Sequence, residues 1–483
     1  MPKELKHYFG IDFGTTNSAT VGLAVMDNKT NMFLYGDDED RPIPSVVAIN
    51  KNTGEIYTGR DAWNKKMELA ETCVYISSVK SILDSDWTQD IAGRTWTTTD
   101  VATEVFKALK ANVAERTGAE MTSATVAIPI GFVAEKRERL RIAARNAGIV
   151  IDSFISEPTA AFFANYEALK SCSTIAVFDW GGGTLDVSII QNSNGKISEM
   201  ATEGMNVAGD DLDRKIAKRI HARIARKKGV EMAFEDMPHS AQDLLLVRAE
   251  RAKRALSDDE TATISMLKYG EYGACRETLD YDWFAEIVNP EVDAAIACLE
   301  RAITESEVGL ANIDRIVMIG GSSNLRPLLE KMERKYGELL YFPEQTMWNV
   351  GQGAAQLNMI PGEYYTNQSV GLILSDGSYF ELLPKNTKVT GWKRELSFAL
   401  TDTTEEARFV FSGSSDIDAS SLKYRSLLVP SYRFLQEKIK LTVAIDENLV
   451  FQAMAKSDMR PLEFSRFWNY EQLKCYYRLP DMR

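Results

Sequence analysis

The chain has 483 residues, 45% of them hydrophobic and 26% charged, ordinary soluble-protein values for roughly two to four domains. Lys and Arg number 56 against 69 Asp and Glu, a net charge of −13; this argues against a sequence-blind nucleic-acid partner, which needs a basic face. Five scattered cysteines without Cys-x-x-Cys spacing and three histidines argue against a zinc site, a redox motif or a multi-histidine metal centre. With no cleavable signal and no apolar run of membrane-spanning length, a cytoplasmic protein without a membrane partner is expected.

Residues 8–26 alternate, with Phe9, Ile11 and Phe13 on one face, then Ala19, Val21, Leu23 and Val25. This predicts a β-hairpin bent around Gly14-Thr15-Thr16-Asn17. Arg41-Pro-Ile-Pro-Ser-Val-Val-Ala-Ile predicts a turn and a strand, and helical pattern follows around 61–72 and 100–117. Thr125-Val-Ala-Ile is a strand stopped by Pro129, residues 133–147 an Arg-rich helix ended by Gly148, and Glu157-Pro158 a helix start. A second hairpin spans Ser173 to Gln191. Residues 210–228 form an amphipathic helix with Ile216, Ile220 and Ile224 inside and eight Lys or Arg on the other faces. Those cations suit a solvated face better than an acidic-partner site. Helix continues over 240–256, and Arg315-Ile-Val-Met-Ile breaks into a glycine turn. After Ile360-Pro361-Gly362 the texture becomes all-β, with a strong turn signal at Asp376-Gly377 and strands at Glu395–Leu400, Arg408–Phe411, Ile439–Ile445 and Leu449–Met454.

The chemistry concentrates in the two hairpin loops. Gly10-Ile-Asp-Phe-Gly-Thr-Thr-Asn-Ser18 and Phe178-Asp-Trp-Gly-Gly-Gly-Thr-Leu-Asp186 share apolar–Asp–apolar–Gly followed by hydroxyls. Glycine lets successive backbone N–H groups approach a phosphate, and Thr15, Thr16 and Thr184 add donors. Asp12 and Asp179 would repel a bare phosphate, so a cation such as Mg²⁺ must intervene. Either loop alone is as good as a glycine turn. The matched pair implies two similar lobes closing on one polyphosphate. Gly351-x-Gly353-Ala-Ala is a poor dinucleotide fingerprint, and no Gly-x4-Gly-Lys-Ser/Thr occurs.

These residues resemble the heat-shock protein 70 (DnaK-type) chaperone family, within the actin and sugar-kinase superfamily. Besides the two loops, the matching stretches are Ser156-Glu-Pro-Thr-Ala-Ala161, Ala208-Gly-Asp-Asp-Leu-Asp213, Ala249-Glu-Arg-Ala-Lys-Arg-Ala-Leu-Ser257 and Ile316-Val-Met-Ile-Gly-Gly-Ser322, in family order over residues 7–360. The resemblance implies an α/β fold: a two-lobed actin-like ATPase with duplicated mixed-sheet subdomains, then a small all-β domain. The expected limits are 1–360 for the nucleotide-binding domain (second lobe from about 172), 361–369 for a linker, 370–457 for a β-sandwich-like domain and 458–483 for a tail. ATP or ADP with Mg²⁺, and optionally K⁺, would occupy the cleft. Asp12, Asp179 and Asp186 would hold the hydrated metal. Gly14, Thr15, Thr16, Asn17, Gly181, Gly182, Gly183 and Thr184 would hold phosphates, with Gly209 and Asp210 beside them. Lys80 falls on the family's catalytic lysine and Glu157 on its water-positioning glutamate; Asp179 and Thr184 complete the catalytic set. Glu250, Lys253, Arg254 and Ser257 fall on the adenosine-contacting helix, and Gly320, Gly321 and Ser322 on the adenosine loop.

Departures accompany the match. Asn324 stands where the family usually has an arginine stacked on adenine, a loss of about 1–2 kcal/mol, near tenfold. The segment 361–369 lacks the acidic, leucine-rich linker of typical members, and the stretch after Ser457 is too short for their helical lid. The resemblance implies a slow ATP-hydrolysing, lidless chaperone of the stress-response type. Its partners would be a protein or peptide client on the β-domain and a co-chaperone or exchange factor. Two rivals stand beside it: a nucleotide-gated adaptor for one dedicated partner with little turnover, and a small-molecule kinase of the superfamily.

Overall fold

The computed structural model describes residues 6–27, 29–37, 41–69, 71–230, 232–400, 405–413, 425–431, 437–459, 466–470 and 473–481. Parts of the expected tail, 460–465, 471–472 and 482–483, lie outside them. The chain divides into two compact units. One comprises 1–131, 139–192 and 199–360; the other comprises 132–138, 193–198 and 361–483.

The first unit contains one sheet design twice. In the first sheet Val150–Ser156, Ser123–Ile128 and His7–Asp12 run parallel, and His7–Asp12 turns back antiparallel into Asn17–Met26 and Lys29–Tyr35. In the second, Leu340–Tyr341, Arg315–Ile319 and Thr174–Trp180 run parallel, and Thr174–Trp180 turns back into Leu185–Ser193, followed by Lys196–Met205. Both expected hairpins therefore occupy equivalent places, each with its Asp near the bend. The strands that carry the aspartates are flanked on both edges and apolar inside: Ile11, Phe178 and Trp180 are fully buried. Burial of side chains this large contributes about 1.5–3 kcal/mol each and holds the loops above them in place.

The expected helix over 61–72 is split into Gly59–Asn64 and Lys66–Leu69, whereas Thr98–Thr117 is continuous and opens on a Thr97–Asp100 capping box. The helices Ala134–Asn146, Glu157–Ala164, Gly209–Lys228 and His239–Ala255 lie where the patterns put them. On Gly209–Lys228, Lys215 pairs with Glu291 (2.6 Å), Lys218 with Glu235, and Arg223 and Lys227 with Glu277 (3.3 and 2.7 Å). Half of the basic face is thus taken up inside the chain.

The glycines of Gly351-x-Gly353 serve packing. The helix Asn349–Met359 crosses the strand of Asp12 and the helix of Glu157 so closely that a Cβ on Gly10 would sit 2.1 Å from the Ala355 nitrogen. One on Gly353 would sit 1.8 Å from the Ala160 oxygen.

The second unit is β-rich, and every element described after Met359 is a strand. Its core lies between two four-stranded sheets. One contains Tyr379–Leu383, Val370–Ile373, Glu406–Ser412 and Arg425–Pro430; the other contains Lys393–Ala399, Lys438–Ile445, Phe451–Ser457 and Arg466–Tyr470. The last of these comes from the expected tail. So does Cys475–Arg478, and Glu363–Thr366 in the expected linker is also a strand. Tyrosine-rich strands of four residues, one of them directly after Pro361-Gly362, give too short a pattern to distinguish from loop.

Candidate nucleotide site

The two hairpin loops meet face to face within the first unit. A Cβ on Gly182 would lie 2.8 Å from the Thr16 Cβ, and one on Gly183 would lie 3.1 Å from the Thr15 Cβ. Only glycine permits that approach. The loops are tied together by Thr16 Oγ1 donating to Asp210 Oδ2 (2.9 Å) and by the Asp210 N–H donating to the Gly182 carbonyl (2.8 Å). Gly14 and Gly181 are braced from behind: Ser45 Oγ donates to the Gly14 carbonyl (2.9 Å) and Ser322 Oγ to the Gly181 carbonyl (2.7 Å). Asn17 is exposed at the start of its strand. Ser45 was not singled out by the sequence, because a serine before a strand carries no signal of its own.

Beneath the loops lies a buried ion pair. Ser156 caps the helix that begins at Glu157 and places that carboxylate at the helix start, where the dipole favours it. Lys80, just after the left-handed Ser78 (φ 57°), reaches it: Nζ donates to Glu157 Oε1 at 2.8 Å, with both side chains at or below 10% exposure. Asp12, Asp179 and Asp186 share this environment. Burial first, then the Glu157 charge, pushes the Asp12 carboxyl up to about 7 against the pull of Lys80. Burial with the Glu157, Asp12 and Asp186 charges holds Asp179 well above the ordinary carboxylate range. Asp186 is pushed up to about 6, again by burial and Glu157, opposed by a hydrogen bond from Thr184 Oγ1 (2.9 Å) and by Lys80. Burial pulls the Lys80 ammonium down, but Glu157 and Asp12 outweigh it and hold it above its usual value. A cavity of about 30 Å³ opens beside Glu157, Asp179 and Asp186, room for one or two waters.

Four acidic groups against one lysine call for a further cation. Among the described residues no three His, Cys, Asp or Glu side chains converge as direct ligands. Gly320 joins this end of the cleft: at φ 81° it lies so close that a Cβ would sit 2.6 Å from Asp179 Oδ1.

The residues expected to face the base are assembled differently. Lys253 is buried, donating to the Gly209 carbonyl (2.8 Å) and pairing with Asp213 (2.9 Å). Burial pushes the Asp213 carboxyl up to about 7 despite Lys253. Asp213 lies within the Ala208–Asp213 stretch but was given no role there. Arg254 pairs with Glu250 on its own helix (2.6 Å). Ser257 follows that helix, its N–H donating to the Arg254 carbonyl. Gly321 and Asn324 are exposed; Asn324 Nδ2 donates to Thr346 Oγ1 (3.3 Å).

Comparison with known proteins agrees with this geometry. The family model described as Hsp70 protein matches residues 8–91 and 75–340. The chain is 28% identical over 424 residues to the chaperone protein DnaK of Mycoplasmopsis agalactiae (strain NCTC 10123 / CIP 59.7 / PG2), a match covering 84% of this chain and 68% of that relative. On the duplicated sheets, the paired loops and these matches, the chain belongs to the Hsp70 family.

Proposed function

We propose that this Hsp70-family chain binds MgATP between its two loops, hydrolyses it slowly, and holds a protein or peptide segment on its β-rich unit. The observation that carries the proposal is the meeting of Gly182 and Gly183 with Thr16 and Thr15, in loops whose Asp12, Asp179 and Asp186 feel the charges of the buried Lys80–Glu157 pair. In this reading the loop N–H groups and the Thr15, Thr16 and Thr184 hydroxyls cradle the phosphates, as backbone nests do. Lys80 offsets charge that develops on the transferred phosphoryl group. Glu157, beside the small cavity, orients the attacking water. No covalent intermediate is needed, since phosphoryl transfer is catalysed mainly by positioning and charge. Asp12, Asp179 and Asp186 hold the hydrated Mg²⁺, which neutralises phosphate charge when bound. Lys253, Glu250, Arg254 and Ser257 border the ribose and base, with Gly321 and Asn324 opposite, while Gly320 and Ser322 join that turn to Asp179 and Gly181.

Phosphate release from Glu157→Ala and Lys80→Ala, measured alongside calorimetric ATP binding, tests the assignment. Turnover is expected to fall at least about a hundredfold while binding persists; wild-type turnover in both variants would remove these residues from the chemistry. The exposed Asn324 favours a second reading, an adaptor that responds to nucleotide with little turnover. Peptide binding measured with unfolded model peptides in each nucleotide state separates the two, since only the chaperone reading requires it.

A further inference from the structure

The segment 361–369 is expected to be a linker, yet both edges of Glu363–Thr366 are occupied within the second unit. On one edge Glu363–Thr366 pairs antiparallel with Cys475–Arg478, Glu363 opposite Arg478 and Thr366 opposite Cys475. The ladder is extended by the Asn367 N–H donating to the Lys474 carbonyl (2.7 Å) and the Gly362 N–H donating to the Tyr477 hydroxyl (2.8 Å). On the other edge the Thr366 N–H donates to the Thr387 carbonyl (3.0 Å). The Asn386 and Val389 N–H groups donate to the Thr366 and Tyr364 carbonyls (2.8 and 2.9 Å). The side chains repeat the pairing. Tyr364 meets Tyr477 edge-on at 4.9 Å, Tyr365 stacks on Tyr476 at 5.5 Å, and Lys388 pairs with Glu363. Thr366 is fully buried, its hydroxyl donating to the Pro384 carbonyl (2.8 Å).

We propose that Cys475–Arg478 is a strap that locks the connecting segment 362–367 into the β-rich unit in every nucleotide state, so that releasing this segment is not how the β-rich unit is switched. A strand paired on both edges has no row of free N–H and C=O groups to offer another partner. Freeing it means breaking two ladders and two aromatic contacts together. The regulatory meaning rests on the ATP reading above; the strap itself does not.

Register supplies the test. The Thr366 N–H points to Thr387, away from Cys475, so Thr366 and Cys475 form a non-hydrogen-bonded pair. Such pairs have Cα atoms about 4.5 Å apart, within disulfide range. In Thr366→Cys, mild oxidation should bond the introduced thiol to Cys475 to the same extent without nucleotide, with ADP and with MgATP, as read by peptide mass. In the unsubstituted protein, amide exchange over 363–367 should be at least about a hundredfold slower than in unpaired chain and unchanged by nucleotide. Tyr476→Ala combined with Tyr477→Ala should raise that exchange at least about tenfold while Phe451–Ser457 stays protected. Fast exchange over 363–367 in the nucleotide-free protein, or a rise of about tenfold on adding MgATP, would overturn the strap. ATP occupancy is measured separately by calorimetry. Failure to bind would count against the ATP reading alone, because the nucleotide-free measurements still decide the strap.

Discussion

At the end proposed to hold the phosphates, two loops touch through glycines, Thr16 is bonded to Asp210, and Lys80 and Glu157 are buried as a pair at 2.8 Å. At the end proposed to hold the base, Asn324 is exposed and bonded to a threonine, Lys253 is turned into Asp213, and Arg254 pairs with a glutamate on its own helix. The first end sets its cradle with backbone and short side chains, and its one long pair, Lys80 and Glu157, is held by burial. The second depends on long side chains that have found partners in the chain itself. Preorganised donors act without paying for rearrangement when charge develops. Side chains that must leave a partner to meet a ligand return part of the binding energy. The contrast therefore predicts tight dependence on the phosphates and weak dependence on the base.

The largest effect should come from Gly182→Val. A Cβ alone would lie 2.7–2.9 Å from three atoms of Thr16, so the loops must part. ATP affinity measured by calorimetry should fall about a hundredfold, roughly 2.7 kcal/mol. Wild-type affinity would mean that the two loops do not act as one clamp. Next comes Gly320→Ala. Its φ of 81° with ψ of 153° is a region essentially reserved for glycine, and a Cβ would sit 2.5 Å from the Trp180 carbonyl oxygen. Strain of about 1–3 kcal/mol plus the clash should lower the melting temperature by several degrees. An unchanged melting temperature would show that the turn relaxes freely and does not fix the position of Asp179.

Asn324→Arg addresses the other end of the comparison. Restoring a cation over the base should tighten ATP binding about tenfold and leave pyrophosphate binding unchanged. If pyrophosphate binding rises equally, the gain is charge attraction rather than stacking. If neither changes, the base does not lie beside residue 324.

The two ends also differed in how far they could be read from the amino-acid order. Phosphate-end residues lie in short local runs: Asp12 to Asn17 is one hairpin bend, Gly181 to Asp186 another, and Glu157 precedes a proline that starts a helix. Local geometry determines what such residues face. The bonds that complete the site, Thr16 to Asp210 and Lys253 to Asp213, join residues 194 and 40 positions apart, and no periodicity encodes them. The same holds for the β-rich unit. The Asp376-Gly377 hairpin has a turn signal, whereas Glu363–Thr366 and Cys475–Arg478 become strands because each is the other's partner. Pairing across more than a hundred residues leaves no mark in either tetrapeptide.

The smallest expected effect is a dependence on pH, and its sign follows from the raised carboxyls. Asp12 is pushed up to about 7 and Asp186 to about 6 from an ordinary 3.8. Between 3.8 and those values the folded protein binds more protons than the unfolded chain, so these groups make the nucleotide-free protein less stable as pH rises from about 4 to about 7. Mg²⁺ held near the carboxylates favours their ionised forms, so it should reverse this trend. The gain in melting temperature on adding MgATP should therefore be larger at pH 8 than at pH 5. Asp12→Asn removes one titrating group, so the nucleotide-free variant should lose less stability than the wild type between pH 5 and pH 7.5. Scanning fluorimetry of both proteins across that window decides the matter. Parallel curves would mean that Asp12 is not held above its ordinary value, and the case for a cation at the phosphate end would then rest on the loops alone.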